Sequence, residues 1–159
     1  MTETLSPLRV LVIEDDDRQA RLWAYLITRR SERSTIVEIA RTKADAMDHL
    51  RRGDWDLVVL DPGLPDTRLD PGAAIVEICQ AAAPAPVQIL TGGVDPARVE
   101  RALGIVRGIT NKTDIDPNVD FLEQLFGADL DEMIEAIRAT RKRANAAMER
   151  IQKASERGM

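Results

Sequence analysis

The sequence has one cysteine, no long apolar stretch and no recognisable secretory signal. The lone Cys79 cannot form an intramolecular disulfide. No apolar run approaches the roughly 20 residues that a membrane-spanning helix needs. The first residues, MTETLSP, lack the basic and then apolar regions of a secretory signal. We therefore expect a soluble, cytoplasmic protein that does not contact a membrane.

The chain also lacks an excess of positive charge. Its 22 Lys and Arg residues are outnumbered by 27 Asp and Glu residues, which gives a formal net charge of −5 at pH 7. Domains that bind nucleic acids are normally basic, so we expect no direct nucleic-acid binding. A length of 159 residues with 44% hydrophobic and 31% charged residues is typical of one globular domain with a core of ordinary size.

Short apolar runs alternate with amphipathic segments along most of the chain. The predicted strands are Leu8–Ile13, Thr35–Ile39, Asp56–Asp61, Val87–Leu90 and Gly108–Asn111. The predicted helices between them are 18–30, a segment capped by Thr42 and ended by Gly53, 73–80, and a segment opened by Asp95 and Pro96. This alternation predicts right-handed crossovers and a parallel sheet covered on both faces.

Acidic residues end two of the predicted strands. Four consecutive carboxylates, EDDD, follow the first strand, and Asp61 ends the third. Ligands of such folds bind at the carboxyl ends of the strands, so we expect Glu14, Asp15, Asp61, Thr91 and Lys112 to lie on one rim of the sheet. Carboxylates that close together repel one another unless a cation joins them. Their oxygens form a hard site suited to Mg²⁺ with several retained waters.

A carboxylate beside such a metal ion can attack a phosphoryl group. Asp61 is the candidate nucleophile, and the Thr91 hydroxyl and the Lys112 ammonium could bind the charge that the phosphoryl group brings. The residues therefore predict a phosphoryl-accepting site. An Asp after a strand is also commonly a turn residue or a helix cap, and this structural interpretation is the alternative for the acidic residues taken alone.

With these motifs in place, the sequence resembles the receiver domain of bacterial response regulators. The matching stretches are VIEDD at 12–16, DLVVLD at 56–61, LPD at 64–66, QILT at 88–91, and Lys112. The resemblance implies an α/β, flavodoxin-like fold: a five-stranded parallel sheet in the order 2-1-3-4-5 with helices on both faces.

The resemblance also implies a role for each site residue. Asp61 would accept a phosphoryl group from a histidine kinase or a histidine phosphotransfer protein. Glu14, Asp15 and Asp61, with the backbone carbonyl of Gly63, would hold Mg²⁺. Thr91 and Lys112 would bind the phosphoryl oxygens, and the protein would be a signalling module and not an enzyme.

Three features depart from the family pattern. Thr113 follows Lys112 where the family usually has a proline. Ile109 stands where many receivers carry an aromatic residue that moves inward on phosphorylation, so we expect no aromatic switch of that kind. The loop from Pro62 to Gly72 is a few residues longer than expected, and its polar residues could alter kinase choice or hydrolysis rate.

The C-terminal part of the chain contains two additions. We interpret 7–141 as the receiver domain, with an insertion at 113–128 whose short helix is predicted to begin at Asp116 and Pro117 and to stop at Gly127. The last helix is predicted from Asp129 to about Glu156, so that 142–159 extends it beyond the domain. A three-four spacing of apolar residues in this helix indicates a helix-packing seam. A homodimer could form through the insertion or through this helix; the alternatives are an inserted helix that only covers the core and a frayed, basic C-terminal tail.

Three classes of function are compatible with the sequence. The first is a stand-alone phosphoacceptor that signals by partner binding or dimerisation. The second is a receiver-like interaction module that works without phosphate. The third is an aspartate-based phosphatase of the haloacid dehalogenase type, which normally needs a second Asp two positions after the first; Gly63 occupies that position.

Overall fold

Five parallel strands form the central sheet of the computed structural model, which describes residues 6–29, 33–93 and 99–158. The strands are β1 (Leu8–Ile13), β2 (Thr35–Ala40), β3 (Leu57–Leu60), β4 (Val87–Thr91) and β5 (Gly108–Asn111). Their order in the sheet is β2-β1-β3-β4-β5, and every neighbouring pair is parallel. The predicted order 2-1-3-4-5 is confirmed.

The helices cover both faces of the sheet, as predicted. They are α1 (Asp17–Arg29), α2 (Lys43–Arg52), α3 (Pro71–Ala82), α4 (Phe121–Phe126) and α5 (Leu130–Arg157). Side chains of α2 and α3 pack with one face of the central strands, and those of α1, α4 and α5 pack with the other. All four residues of β3 are buried because this strand lies in the middle of the sheet and is covered on both faces.

The observed start of α3 differs from the prediction, and the predicted start of α2 is confirmed. α3 begins at Pro71, two residues earlier than predicted, since the side chain of Asp70 accepts a hydrogen bond from the Ala73 N–H. α2 begins after Thr42 as predicted, and its last turn is closed by the Gly53 N–H, which donates to the His49 carbonyl. The helix predicted at Asp95 and Pro96 lies outside the described residues.

The predicted start of the short inserted helix at Asp116 is wrong. The helix begins at Phe121, and Asp120 caps it by accepting a hydrogen bond from the Glu123 N–H at 3.1 Å. Asp116 instead forms a turn before the helix, because the Gln124 side chain bonds both to its N–H at 2.8 Å and to its carbonyl at 2.7 Å. Gly127 ends the helix with a φ of +97°, a conformation that favours glycine.

The inserted helix α4 closes the core on the face opposite α2 and α3. Its four largest apolar side chains are all buried, namely those of Phe121, Leu122, Leu125 and Phe126. Phe121 stacks on Trp23 of α1 with ring centroids 5.6 Å apart. Burying side chains of this size contributes about 2 kcal/mol each to folding. Covering the core is therefore a sufficient reason for the helix to form.

A buried aspartate fastens the long helix α5 to the start of β3. Asp56 is 1% exposed, and Arg138 forms a two-pronged contact with it at 3.0 and 2.9 Å. The Arg9 N–H donates to the same carboxylate at 2.9 Å, and Arg141 donates to the Trp55 carbonyl beside it. Beyond Arg141 the helix leaves the domain: the 16 residues of 142–157 project about 24 Å at 1.5 Å per residue.

Within the three described stretches, no helix is both long enough and apolar enough to span a membrane.

Candidate functional site

Two acidic residues lie side by side at the carboxyl ends of neighbouring strands, on one rim of the sheet. Glu14 directly follows β1 and Asp61 directly follows β3, and the last residues of these strands, Ile13 and Leu60, are in register. The Asp61 N–H donates to the Ile13 carbonyl at 2.8 Å, so the strand pairing continues to the site. The geometry that the carboxyl-end rule anticipates is therefore present.

Glu14, Asp15 and Asp61 form the acidic cluster of this rim. One carboxylate oxygen of each residue can be chosen so that all three lie within 4.8 Å of one another. Glu14 is buried, Asp61 is half-buried and Asp15 is exposed, so the cluster is open to solvent on one side. Three hard oxygen donors with access to water match the preference of Mg²⁺, which keeps several waters in its octahedral shell.

The backbone of Gly63 lies next to the cluster. Its N–H donates to Asp61 Oδ1 at 2.8 Å, which fixes one oxygen of the Asp61 carboxylate. A Cβ at Gly63 would lie 3.3 Å from that same oxygen, a tight contact, so a side chain here would crowd the carboxylate. The role of the Gly63 carbonyl as a metal ligand stays a prediction.

Lys112 reaches the acidic cluster from the end of β5, the edge strand of the sheet. Its Nζ lies 2.5 Å from Asp61 Oδ2 and 3.3 Å from each carboxylate oxygen of Glu14. The lysine follows β5 and begins a 3₁₀ turn in which Asn111 Oδ1 accepts hydrogen bonds from Thr113 N–H at 3.0 Å and from its hydroxyl at 2.8 Å. A proline at 113 would lack this N–H. Thr113 therefore makes a turn contact through its N–H that a proline at this position could not make.

Thr91 ends β4 on the same rim. Thr91 is 7% exposed, and its hydroxyl oxygen accepts a hydrogen bond from the Gly93 N–H at 3.3 Å. Thr91 is in register with Asn111 of β5, and a Cβ at Gly92 would lie 3.8 Å from Lys112 Cδ. The lysine side chain thus passes over the end of β4 on its way to the carboxylates.

Gln19 is a site residue that the sequence reasoning missed. Its side-chain oxygen accepts a hydrogen bond from Lys112 Nζ. The residue lies in the first turn of α1, where its N–H donates to Asp16 Oδ1 at 3.0 Å. The available signal was positional: the first turn of the helix after β1 must rise from the same rim as the acidic cluster.

Burial and mutual contact shift the two central carboxyls in opposite directions. Burial, reinforced by the neighbouring Asp61, raises the pKa of Glu14 to about 8. Burial also acts to raise the pKa of Asp61, but hydrogen bonds from Glu14, Lys112 and the Gly63 N–H outweigh it and leave that pKa below its ordinary value. The two carboxyls therefore titrate as a coupled pair, in which Glu14 is protonated more readily than Asp61.

The loop after Asp61 is tied to the neighbouring helix. Asp66 accepts hydrogen bonds from the Lys43 N–H at 2.8 Å and the Ala44 N–H at 3.1 Å, both at the start of α2. A carboxylate at a helix N-terminus is stabilised by these unpaired N–H groups. A 3₁₀ turn at Pro65–Thr67 lies in the same loop, and the extra length of the loop relative to the family stays a prediction.

The fold is similar to those of several solved receiver domains. A CheY-like response regulator receiver domain protein from Methanospirillum hungatei JF-1 gives a TM-score of 0.68 at 20% identity, covering 82% of this chain and 99% of that one. The signal receiver domain of an HD domain-containing protein from Pseudomonas fluorescens Pf-5 gives 0.67 at 18% identity, covering 90% and 98%.

A response regulator protein from Burkholderia pseudomallei is similar too, with a TM-score of 0.62 at 20% identity over 92% of this chain and 82% of that one. That structure contains a phosphorylated aspartic acid, a calcium ion and citrate. No protein-family model matches the sequence, and no curated protein matches it. The similarity therefore concerns the arrangement of the chain in space, and on that basis the protein has the flavodoxin-like fold of response regulator receiver domains.

Proposed function

We propose that this protein is a stand-alone response regulator receiver that accepts a phosphoryl group on Asp61. The observation that carries the proposal is the contact of Lys112 Nζ with both Asp61 and Glu14, inside a cluster of three carboxylates. A lone acidic cluster is common on protein surfaces. A half-buried lysine joined to it supplies the positive charge that a transferred anionic group needs.

The donor in this proposal is a histidine kinase or a histidine phosphotransfer protein. An Asp61 oxygen attacks phosphorus, the new O–P bond forms, and the P–N bond to the donor imidazole breaks and leaves its electron pair on that ring. Glu14 and Asp15, with Asp61 and the Gly63 carbonyl, would hold Mg²⁺. When bound, this ion would neutralise charge on the phosphoryl oxygens.

Lys112 and Thr91 act on the product state of this reaction. Lys112 moves its ammonium from the Asp61 carboxylate to a phosphoryl oxygen, and the Thr91 hydroxyl donates to another. Thr91 ends β4 and Lys112 follows β5. The movement of these two side chains on phosphorylation therefore changes the surface near β5 and the inserted segment. The proposal includes a cytoplasmic location, signalling by partner binding or dimerisation, and no catalytic turnover of its own.

Intact mass spectrometry after incubation with acetyl phosphate and Mg²⁺ tests the proposal. Wild type should gain the mass of one phosphoryl group, and the gain should disappear with EDTA and in Asp61→Asn. The matched control is Asp66→Asn, five residues along the same loop and outside the acidic cluster, which should still be labelled. An adduct that persists in Asp61→Asn, or no adduct in wild type, would refute it.

A receiver-like interaction module that works without phosphate is the second candidate. One observation favours it: Ile109, at the position of the family's aromatic residue, is 45% exposed on β5, so an apolar side chain is available to a partner there before any modification. The absence of an adduct in the same experiment would support this candidate. A phosphatase of the haloacid dehalogenase type is disfavoured because Gly63 offers no second carboxylate beside Asp61.

A further inference from the structure

A small polar pocket lies towards the end of the sheet opposite the acidic cluster. It opens beside the last turn of α2, has a volume of about 220 Å³, and is lined by Arg9, Glu38, His49, Arg52, Gly53 and Trp55. Arg9 is the second residue of β1, whereas Glu14 follows the last one. At about 3.3 Å per residue, the five-residue step from Arg9 to Glu14 spans about 16 Å. The pocket is therefore separate from the candidate phosphoryl site.

Arg9 lies across a fixed aromatic surface in this pocket. Its guanidinium carbon is 4.8 Å from the centroid of the Trp55 ring. Trp55 is buried, and its indole N–H donates to the His49 carbonyl at 2.9 Å, so the ring is held in place. A guanidinium that stacks on a ring keeps its edge free, and that edge matches the two oxygens of a carboxylate. Arg9 is therefore held in a position from which it can bind an anion.

The space for this guanidinium depends on the missing side chain of Gly53. A Cβ at residue 53 would lie 3.1 Å from Arg9 Nη2 and 3.1 Å from Trp55 Nε1. Both distances are shorter than ordinary van der Waals contacts, so a side chain there would push the guanidinium off the ring or disturb the indole. The pocket in its present form therefore needs glycine at this position.

Among the described residues, two guanidinium groups line the pocket and neither has a carboxylate partner. Arg9 Nε is buried and has no hydrogen-bond partner in the described part of the chain. Arg52 Nε donates to the Asp48 carbonyl at 3.3 Å, which is a neutral acceptor. Glu38 is the one acidic residue of the lining, so two cations oppose one anion when His49 is neutral. Like charges that face one small cavity attract an anion.

Two further lining residues, Glu38 and His49, present hydrogen-bond acceptors. Glu38 belongs to β2, and its Oε2 lies 3.6 Å from His49 Nε2. His49 Nδ1 lies 2.9 Å from the Asp45 carbonyl oxygen. That oxygen only accepts hydrogen bonds, so in the neutral ring Nδ1 carries the proton and Nε2 is an acceptor. A carboxylate and a ring nitrogen that both accept need a donor between them, and a hydroxyl or an ammonium group of a ligand would supply it.

We propose that this pocket binds the anion of a small carboxylic acid that also carries a hydroxyl or an ammonium group, as hydroxy acids and amino acids do. The carboxylate pairs with Arg9 and Arg52, and the donor group binds Glu38 and His49 Nε2. A cavity of about 220 Å³ holds about seven water molecules at about 30 Å³ each, so the ligand has few non-hydrogen atoms. Its dissociation constant is therefore expected to be on the order of 1 mM.

Nuclear magnetic resonance of the two indole N–H groups tests the proposal. Trp55 reports on the pocket, and Trp23, which packs on the opposite face of the sheet, is the internal reference. The metal-free full chain is titrated at constant ionic strength with L-lactate, L-serine or acetate, each up to about 50 mM, far above the expected dissociation constant. Only the Trp55 signal should move to saturation.

The three acids separate the parts of the proposed ligand. Lactate carries a hydroxyl donor and serine an ammonium donor, whereas acetate has neither. The better of lactate and serine should bind at least about fivefold more tightly than acetate, because only it gives Glu38 a hydrogen bond, and the better acid identifies the donor. Acetate that binds as tightly as both, or a Trp55 signal that none of the three acids moves to saturation, would overturn the proposal.

Substitutions of the two cations test where the acid binds. Arg9→Met keeps an unbranched side chain on the ring and removes the charge, and Arg52→Gln removes the other charge. Each should weaken binding at least about tenfold. The matched control is Arg51→Gln, on the neighbouring residue, which pairs with Asp48 and should bind as wild type does. An unmoved Trp23 signal shows that each variant is folded, and wild-type affinity in both cation variants would overturn the proposal.

Two further variants complete the experiment. Gly53→Ala should weaken binding without any change of charge, because its Cβ would crowd Arg9 Nη2. Asp61→Asn should bind the acid as wild type does, since the pocket does not rest on the proposed function. A failure of the phosphoryl-labelling experiment would therefore leave this result in place, and the reverse also holds.

Discussion

The two aspartates at the opposite ends of β3 differ in the charged groups that surround them. Asp56 before the strand is 1% exposed and is bonded by the Arg138 guanidinium and the Arg9 N–H. Asp61 after the strand is bonded by Lys112 and the Gly63 N–H, but it also lies beside another carboxyl group, that of Glu14. Both have a cationic partner from the C-terminal part of the chain.

The difference lies in what surrounds each ion pair. Among the described residues, Asp56 is bonded to the Arg138 guanidinium and the Arg9 N–H, and these contacts hold α5 on the sheet. Asp61 shares its site with the carboxyl group of Glu14, and repulsion between the two ionised carboxylates favours a proton or a further cation beside the Lys112 ammonium. The surroundings of Asp61 are those expected of a site that binds a cation, and the surroundings of Asp56 are those of a structural ion pair.

The largest expected effect comes from removing the charge of Asp56. Asp56→Asn should lower the free energy of unfolding by about 4 kcal/mol, because it leaves the Arg138 guanidinium without its carboxylate in a half-buried site. Asp61→Asn should change it by about 1 kcal/mol or less, since the loss of the Lys112 contact is offset by relief of repulsion from Glu14. Urea unfolding followed by circular dichroism measures both.

Asp54→Asn is the matched control for this pair. Its side chain is 70% exposed and lies 3.7 Å from Arg141, so its removal should cost about 0.5 kcal/mol or less. Equal losses in Asp56→Asn and Asp61→Asn would contradict the distinction between the two ends of the strand.

The sequence predicted the sheet and the rim because both follow from order along the chain. Apolar runs separated by helical segments predict parallel strands, and the carboxyl-end rule then brings Glu14, Asp61 and Lys112 together although 98 residues separate the first from the last. The structure has this arrangement. The roles of these residues in phosphoryl transfer stay predictions.

Other features depended on contacts that a linear pattern does not contain. Asp116 and Asp120 are both acceptable helix caps, and the packing of Phe121 on Trp23 is consistent with a start at the second. Asp56 and Arg138 are 82 residues apart, and nothing local to either predicts the other. Gln19 belongs to no motif of the site and is brought to Lys112 only by the angle at which α1 leaves β1.

The free energy of unfolding of the metal-free protein is expected to depend on pH. The pKa of Glu14 rises from an ordinary 4.5 to about 8 on folding, so its contribution is fully present below pH 4.5 and is lost as pH rises towards 8. The shift of Asp61 has the opposite sign, but its effect is complete above its ordinary pKa of 3.8. Between pH 5 and 8 the free energy of unfolding should therefore fall, by about 3 to 4 kcal/mol.

Urea titrations at pH 5, 6, 7 and 8 measure this fall, and Mg²⁺ should reverse it. Metal binding needs the deprotonated carboxylates, so added Mg²⁺ should stabilise the protein more at pH 8 than at pH 5. Glu14→Gln should flatten the metal-free profile, whereas Glu135→Gln, on an exposed position of α5, should retain it. A metal-free stability that rises from pH 5 to 8 would show that Glu14 does not hold the proton.

The smallest expected effect belongs to Gln19, which acts on Asp61 through Lys112. Gln19→Leu keeps the size of the side chain and removes the acceptor for Lys112 Nζ, so the lysine should spend less time at the site. We expect the rate of labelling by acetyl phosphate to fall by about fivefold, the equivalent of one hydrogen bond of about 1 kcal/mol. Gln80→Leu, on the exposed side of α3, is the matched control and should label at the wild-type rate. Because Asp61 has few groups to hold its lysine in place, losing one of them should be measurable; an unchanged rate would mean that the two carboxylates alone position Lys112.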